Sequence, residues 1–165
     1  MYGINSAVEY YRVIDADYVF VGLKSSIAAI AKNAVQALRL NGLRVGAVVL
    51  AAPSSLSIEI AELLAQARAI GVVEAKKKKD WIGPALMTLL WRASASPEWH
   101  TMGRIPRVYS AVLNVGRGHP QEQHLINLAK AMHMYEPEQI LLTADGLAKP
   151  VGRVSPVKGF AAATG

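Results

Sequence analysis

Lys24, Ser25 and Ser26 stand where an apolar run gives way to helical spacing, in the stretch VFVGLKSSIAAIAKNAV (Val19–Val35). A strand that feeds a helix through such a turn offers free backbone N–H groups and the positive end of a helix dipole, and here an ammonium group as well. Anions favour that combination. The spacing is neither GxxxxGK[ST] nor GxGxxG, and one glycine, Gly22, does not let the backbone wrap a diphosphate. The simpler expectation is that Ser25 or Ser26 is an N-cap, with an anion contact by Lys24, Ser25 and Ser26 as the second reading. Gly116-Arg117-Gly118-His119-Pro120 forms a similar turn, where Arg117 is either the exposed arginine of a tight bend or a further anion contact. Lys76, Lys77, Lys78 and Lys79 form an uninterrupted basic run. It reads either as a solvated surface or as a partner-binding segment that steers association electrostatically.

Other reactive side chains do not assemble. His100, His119, His124 and His133 show no zinc-ligand spacing, so they read as surface or hydrogen-bonded histidines. The acids are dispersed and suggest no acid–base pair, and no serine sits in GxSxG. Trp81 and Trp91 flank an apolar segment and read as core or subunit-contact residues. No cysteine is present, which excludes disulfides, thiolate nucleophiles and cysteine-ligated clusters on this chain. No metal site and no catalytic residue is expected.

Of the 165 residues, 52% are apolar and 18% charged, with mean hydropathy +0.23 and net charge +6. Such a chain is rich in burial and sparing of solvated surface. It contains no apolar run of about 18 residues and no basic start leading into an apolar core. No membrane contact is expected, and a cytoplasmic location is. Basic and aromatic residues are not interleaved, which leaves nucleic-acid binding the weakest reading.

The elements that must position these residues follow from periodicity. Tyr18–Gly22, Leu43–Leu50, Gly71–Glu74 and Pro106–Gly116 read as strands. They alternate with helices after Ser25, over Ser57–Arg68, over Ile82–Ala95 and over Gln121–Met132, with one more short helix expected in Pro137–Leu147. Asn41-Gly42 reads as the C-terminal stop of the first helix. Apolar strands alternating with amphipathic helices predict an α/β fold. It should be a doubly wound, mostly parallel open sheet with helices on both faces. The expected organisation is one domain over 1–148 and a basic flexible tail over 149–165.

Several stretches together resemble one family. DADYVFVGLKSSIAAIAKNAVQALRLNGLRVGAVVL looks like the opening of the transketolase-C-terminal-like domain of 2-oxoacid:ferredoxin oxidoreductases, which include the pyruvate and 2-oxoglutarate enzymes. IGVVEAKKKKDWIGPALMTLLWRASAS is similar to the segment in which a strand ending in an acidic residue leads through basic residues to a helix. PRVYSAVLNVGRGHPQEQHLINLAKAM resembles the last strand, glycine turn and closing helix of that domain. The likeness spans Asp15 to Met132 and rests on element order and small-residue turns.

The departures bear on function. LAAPSSLS (Leu50–Ser57) stands where the family has a turn resembling RPFP, and the acidic-basic pattern is drawn out into Glu74-Ala75 and the lysine run. The thiamine diphosphate motif, GDG with two following asparagines, is missing, since Ala144-Asp145-Gly146 has no such sequel. The resemblance therefore implies a non-catalytic accessory subunit, structural or regulatory. It would bind no cofactor itself, while its partner subunits carry thiamine diphosphate and iron–sulfur clusters. Homo-oligomerisation stays open. The alternative is a free-standing doubly wound domain that binds a nucleotide or coenzyme A phosphate through Lys24 and Arg117.

Overall fold

Residues with continuous apolar sequence occupy the centre of the sheet, where both faces must be covered. A computed structural model describes residues 7–75, 82–97, 105–114, 119–134, 139–143 and 147–150. In chain order the strands are β1 (Val8–Tyr11), β2 (Tyr18–Leu23), β3 (Val45–Leu50), β4 (Ala69–Ala75), β5 (Arg107–Asn114), β6 (Gln139–Thr143) and β7 (Ala148–Pro150). The helices are α1 (Lys24–Leu40), α2 (Ile58–Leu64), α3 (Ile82–Ser94) and α4 (Glu122–Met134), and a 3-10 turn covers Pro53–Ser55.

The strands form one sheet in the order β1-β3-β2-β4-β5-β6-β7. β3, β2, β4, β5 and β6 are parallel, while β1 and β7 run antiparallel at the two edges. Every residue of β2 and β3 is buried, as strands covered on both faces require. Alternate side chains feed two cores. Phe20, Ala47, Val73, Tyr109 and Ala111 pack under α1 and α4. Val19, Val21, Val48, Ile70 and Val72 pack under α2 and α3. The expected doubly wound α/β architecture is therefore the observed one.

The chain winds outward from β2. β3 lies on one side of it, and β4, β5 and β6 follow on the other. The β4–α3–β5 and β5–α4–β6 crossovers step in the same direction, yet α3 and α4 cover opposite faces. The last crossover thus has the opposite hand to its predecessor, against the strong preference for right-handed connections. The gain is coverage. On the other face α4 would leave Tyr109, Ala111 and Leu113 without a layer above them, whereas here Leu125, Leu128 and Met132 cover them beside α1.

The turn expected at Asn41-Gly42 is a Schellman motif. The Leu43 N–H donates to the Leu38 carbonyl at 3.0 Å, the Gly42 N–H donates to that of Arg39 at 3.0 Å, and Gly42 has φ +86°. Other boundaries differ from expectation. The helix expected to reach Arg68 ends at Leu64, because the Arg68 N–H turns to the Asp17 carbonyl at 2.7 Å and starts β4. The helix expected in Pro137–Leu147 is replaced by β6, where Gln139–Thr143 pairs with the open edge of β5. Satisfying that edge outweighs the weak helix propensity of so short a run.

Candidate functional site

In a doubly wound sheet, ligands and partners meet the carboxyl ends of the strands where the winding direction reverses. Here that place lies between β2 and β4, which pair from Tyr18–Ala69 to Gly22–Val73. A β-carbon on Gly22 would stand 3.0 Å from Ile27 Cδ1 and 3.1 Å from the Val73 carbonyl oxygen. Gly22 is thus a packing glycine that lets β2, β4 and the first turn of α1 approach closely.

The expected serine cap is not formed. The N-cap of α1 is Leu23, with extended backbone (φ −73°, ψ 150°) and no capping side chain, and the helix begins at Lys24. Ser25 and Ser26 already belong to the first turn, two and three residues past the capping position, because β2 runs directly into the helix. No acidic residue occupies that turn. Lys24 and Ser25 are exposed and Ser26 is partly so. The helix therefore presents first-turn N–H groups beside an exposed ammonium, with no side-chain acceptor.

On the β4 side, the partly buried Glu74 directs a carboxylate oxygen at the Ile82 N–H, 2.7 Å away. An acid at the end of a strand thus takes up an otherwise unpaired donor at the start of α3. Lys76, Lys77, Lys78 and Lys79 follow directly in sequence but lie outside the described residues, as does Arg117 after β5. Their proximity to Lys24 is therefore not part of the described geometry.

Two of the described histidines, His124 and His133, serve the fold, while His119 is exposed. His124 is fully buried. Its Nδ1 accepts the Gln121 N–H at 2.8 Å, so the ring proton sits on Nε2 and is donated to the Thr143 carbonyl at 2.6 Å. His133 Nδ1 lies 2.7 Å from the Tyr18 hydroxyl. Burial, the largest influence on Tyr18, holds its phenol above the usual value, so the hydroxyl keeps its proton at neutral pH. Trp91 is 62% exposed on α3 and does not belong to the core. Among the described residues no three His, Asp or Glu side chains gather at metal-binding distance, and no helix is long and apolar enough to cross a membrane.

At the opposite, amino-terminal edge of the sheet lies a cluster that sequence reading did not single out. Arg39 donates from Nε to the Val45 carbonyl at 2.8 Å and from Nη2 to the Arg12 carbonyl at 2.8 Å. It also grips Asp15 with two further bonds, the shorter 2.7 Å. The hydrogen bond from Arg39 holds the Asp15 carboxyl below its ordinary value. Arg44 and Arg68 share Asp17 at 3.0 and 3.8 Å. These partners lie far apart in sequence, so no local pattern announces them. The single local signal is Arg39 in the last turn of its helix, an ordinary place for a cation. No protein-family model and no curated protein matches the chain.

Proposed function

We propose that the chain is a non-catalytic accessory domain of a 2-oxoacid:ferredoxin oxidoreductase, docking on subunits that hold thiamine diphosphate and iron–sulfur clusters. The reading starts from the sequence resemblance. The observation that supports it most is the position of α4. After β5 the chain returns to the face of α1, as a closing helix following a last strand would, and β6 and β7 extend the sheet beyond that unit. The acid-ended strand that leads into a helix has its counterpart in Glu74 and α3. The sequence carries neither the thiamine diphosphate motif nor cluster cysteines, so both groups belong to the partners in this reading.

Co-expression with the thiamine- and cluster-bearing subunits of such an enzyme tests it. The chain should co-purify with them in low salt, the complex showing the visible absorbance of iron–sulfur clusters. The purified chain alone should reduce no electron acceptor at the expense of pyruvate or 2-oxoglutarate. Failure to co-purify, or turnover by the chain alone, overturns the reading. In this reading the lysine run steers docking. Replacing Lys76–Lys79 by glutamine should then slow association at low salt and leave it unchanged at high salt.

A second reading is favoured by the uncapped start of α1 beside Lys24. There the domain binds a phosphate group at the reversal point of the sheet. Thermal shifts with inorganic phosphate, ADP and coenzyme A test it. Stabilisation abolished by Lys24→Ala in a protein that still folds supports this reading, and no shift with any of the probes removes it.

A further inference from the structure

The amino-terminal edge of the sheet combines features that the fold does not use. Leu40 and Ile14 are 89% and 80% exposed, the most solvent-accessible large apolar side chains described. Arg12 lies between them and lines two adjoining depressions. One, of about 380 Å³, includes Ile14, Val13 and Leu63. The other, of about 630 Å³, includes Leu40, Leu43 and Val35. Arg12 has φ +52°, the one left-handed non-glycine residue described. Its carbonyl is tied to Arg39, whereas its exposed guanidinium makes no hydrogen bond or ion pair among the described residues. The neighbouring charges are already committed, Arg39 to Asp15, and Arg44 and Arg68 to Asp17. The edge thus sets exposed apolar side chains beside Arg12, whose guanidinium acts on Asp15 only at a distance, inside a net positive surround.

We propose that this edge is a docking surface for an acidic segment of a partner protein that also carries apolar side chains. The apolar groups cover Leu40 and Ile14 while a carboxylate pairs with Arg12. Charge decides the occupant. A second copy would bring an equally positive edge against this one with both aspartates already paired, whereas an acidic segment supplies the missing counter-charge. Covering Arg12 and the exposed Ile14 and Leu40 beside it withdraws the guanidinium from water and strengthens its pairing relative to open surface. The inference rests on this edge alone and is independent of the oxidoreductase reading.

The probe is a synthetic peptide of alternating glutamate and leucine, with a glutamine–leucine analogue as control. It is titrated into the ¹⁵N-labelled full chain. The expected result is saturable amide shifts concentrated at Arg12, Ile14, Leu40 and Gly42. Affinity should fall about tenfold or more in Arg12→Glu and in Leu40→Ser, weaken with salt, and be lost with the glutamine analogue. Leu40→Ser guards against misfolding, because so exposed a side chain contributes little to the core. Shifts spread over all basic surfaces, or affinity unchanged by both substitutions, overturn the proposal. So does a dimer in sedimentation that Leu40→Ser dissolves, since the edge would then be occupied by a second copy.

Discussion

A β-carbon placed on Gly46 would lie 2.7 Å from the carbonyl oxygen of Arg12, with the Tyr11 oxygen and Val13 Cα each 2.9 Å away. All three are backbone atoms of the segment that leads out of β1, so none can swing aside. Gly46→Ala should therefore lift that segment and destabilise the protein by about 1–3 kcal/mol in urea unfolding. Gly42 makes the opposite case, with open space around it but φ +86°. Gly42→Ala should cost about 1 kcal/mol through conformation alone, and asparagine should be better tolerated there than at Gly46.

Arg39 fastens the same segment. Arg39→Met keeps the aliphatic stem but removes the bonds to the Arg12 and Val45 carbonyls, an expected loss of about 2 kcal/mol. The Asp15 contact adds a pH dependence. Its carboxyl is held below the ordinary value of 3.8 in the folded state, chiefly by the Arg39 hydrogen bond. Its contribution is present above that value and disappears as pH falls through the lower folded one. The stability difference between the parent protein and Asp15→Asn should be flat above the ordinary carboxylate range and shrink as the pH falls below it. A difference that grows on acidification would contradict this assignment.

At the start of α1, Ser25→Ala and Ser26→Ala should each change stability by less than about 0.5 kcal/mol, because neither hydroxyl caps the helix. Ser25→Glu supplies the acid that the first turn lacks and should stabilise by about 0.3–1 kcal/mol at low ionic strength. The same substitution should abolish any stabilisation by added phosphate. Chemical denaturation with and without phosphate measures both effects.

Glu74 gives a graded test. Glu74→Gln keeps an acceptor for the Ile82 N–H, whereas Glu74→Ala leaves the start of α3 without it. The alanine variant should lose about 1–2 kcal/mol and the glutamine variant less than half of that. Equal losses would mean that the side chain acts through packing rather than through its oxygen.

Buried strands announce themselves in sequence, and edge strands do not. YVFVGL, VGAVVL and AIGVVEA are covered on both faces and read as apolar runs, which is why β2, β3 and β4 were legible along with the winding of the sheet. β1 is VEYY, partly exposed at every position, and β6 is a short leucine-rich run whose state is decided by the open edge of β5. Tertiary pairing, not local preference, fixes such segments. The candidate site divides similarly. The strand-to-helix turn at Gly22–Lys24 was legible, but the two-residue difference between the capping position and Ser25 was not, since boundaries shift easily by that much. Arg39 was not legible at all, because its partners Asp15 and Val45 meet it only in the folded chain.

The opposite hand of the β5–α4–β6 crossover has a consequence for the order in which the chain opens. The unit from β2 to α4 supplies nearly all of both cores, while β6 and β7 lie at the rim, add Leu142 to the first core and make their main contacts with β5 and α4. Peeling off that hairpin exposes little of Phe20, Ile27 or Ile70, so it is a low-energy local opening rather than a step in global unfolding. Amide hydrogen exchange should separate the two regimes. Protons of β2, β3 and β4 would exchange only through whole-molecule unfolding, and those of β6 through a far more frequent excursion that leaves the rest of the domain intact.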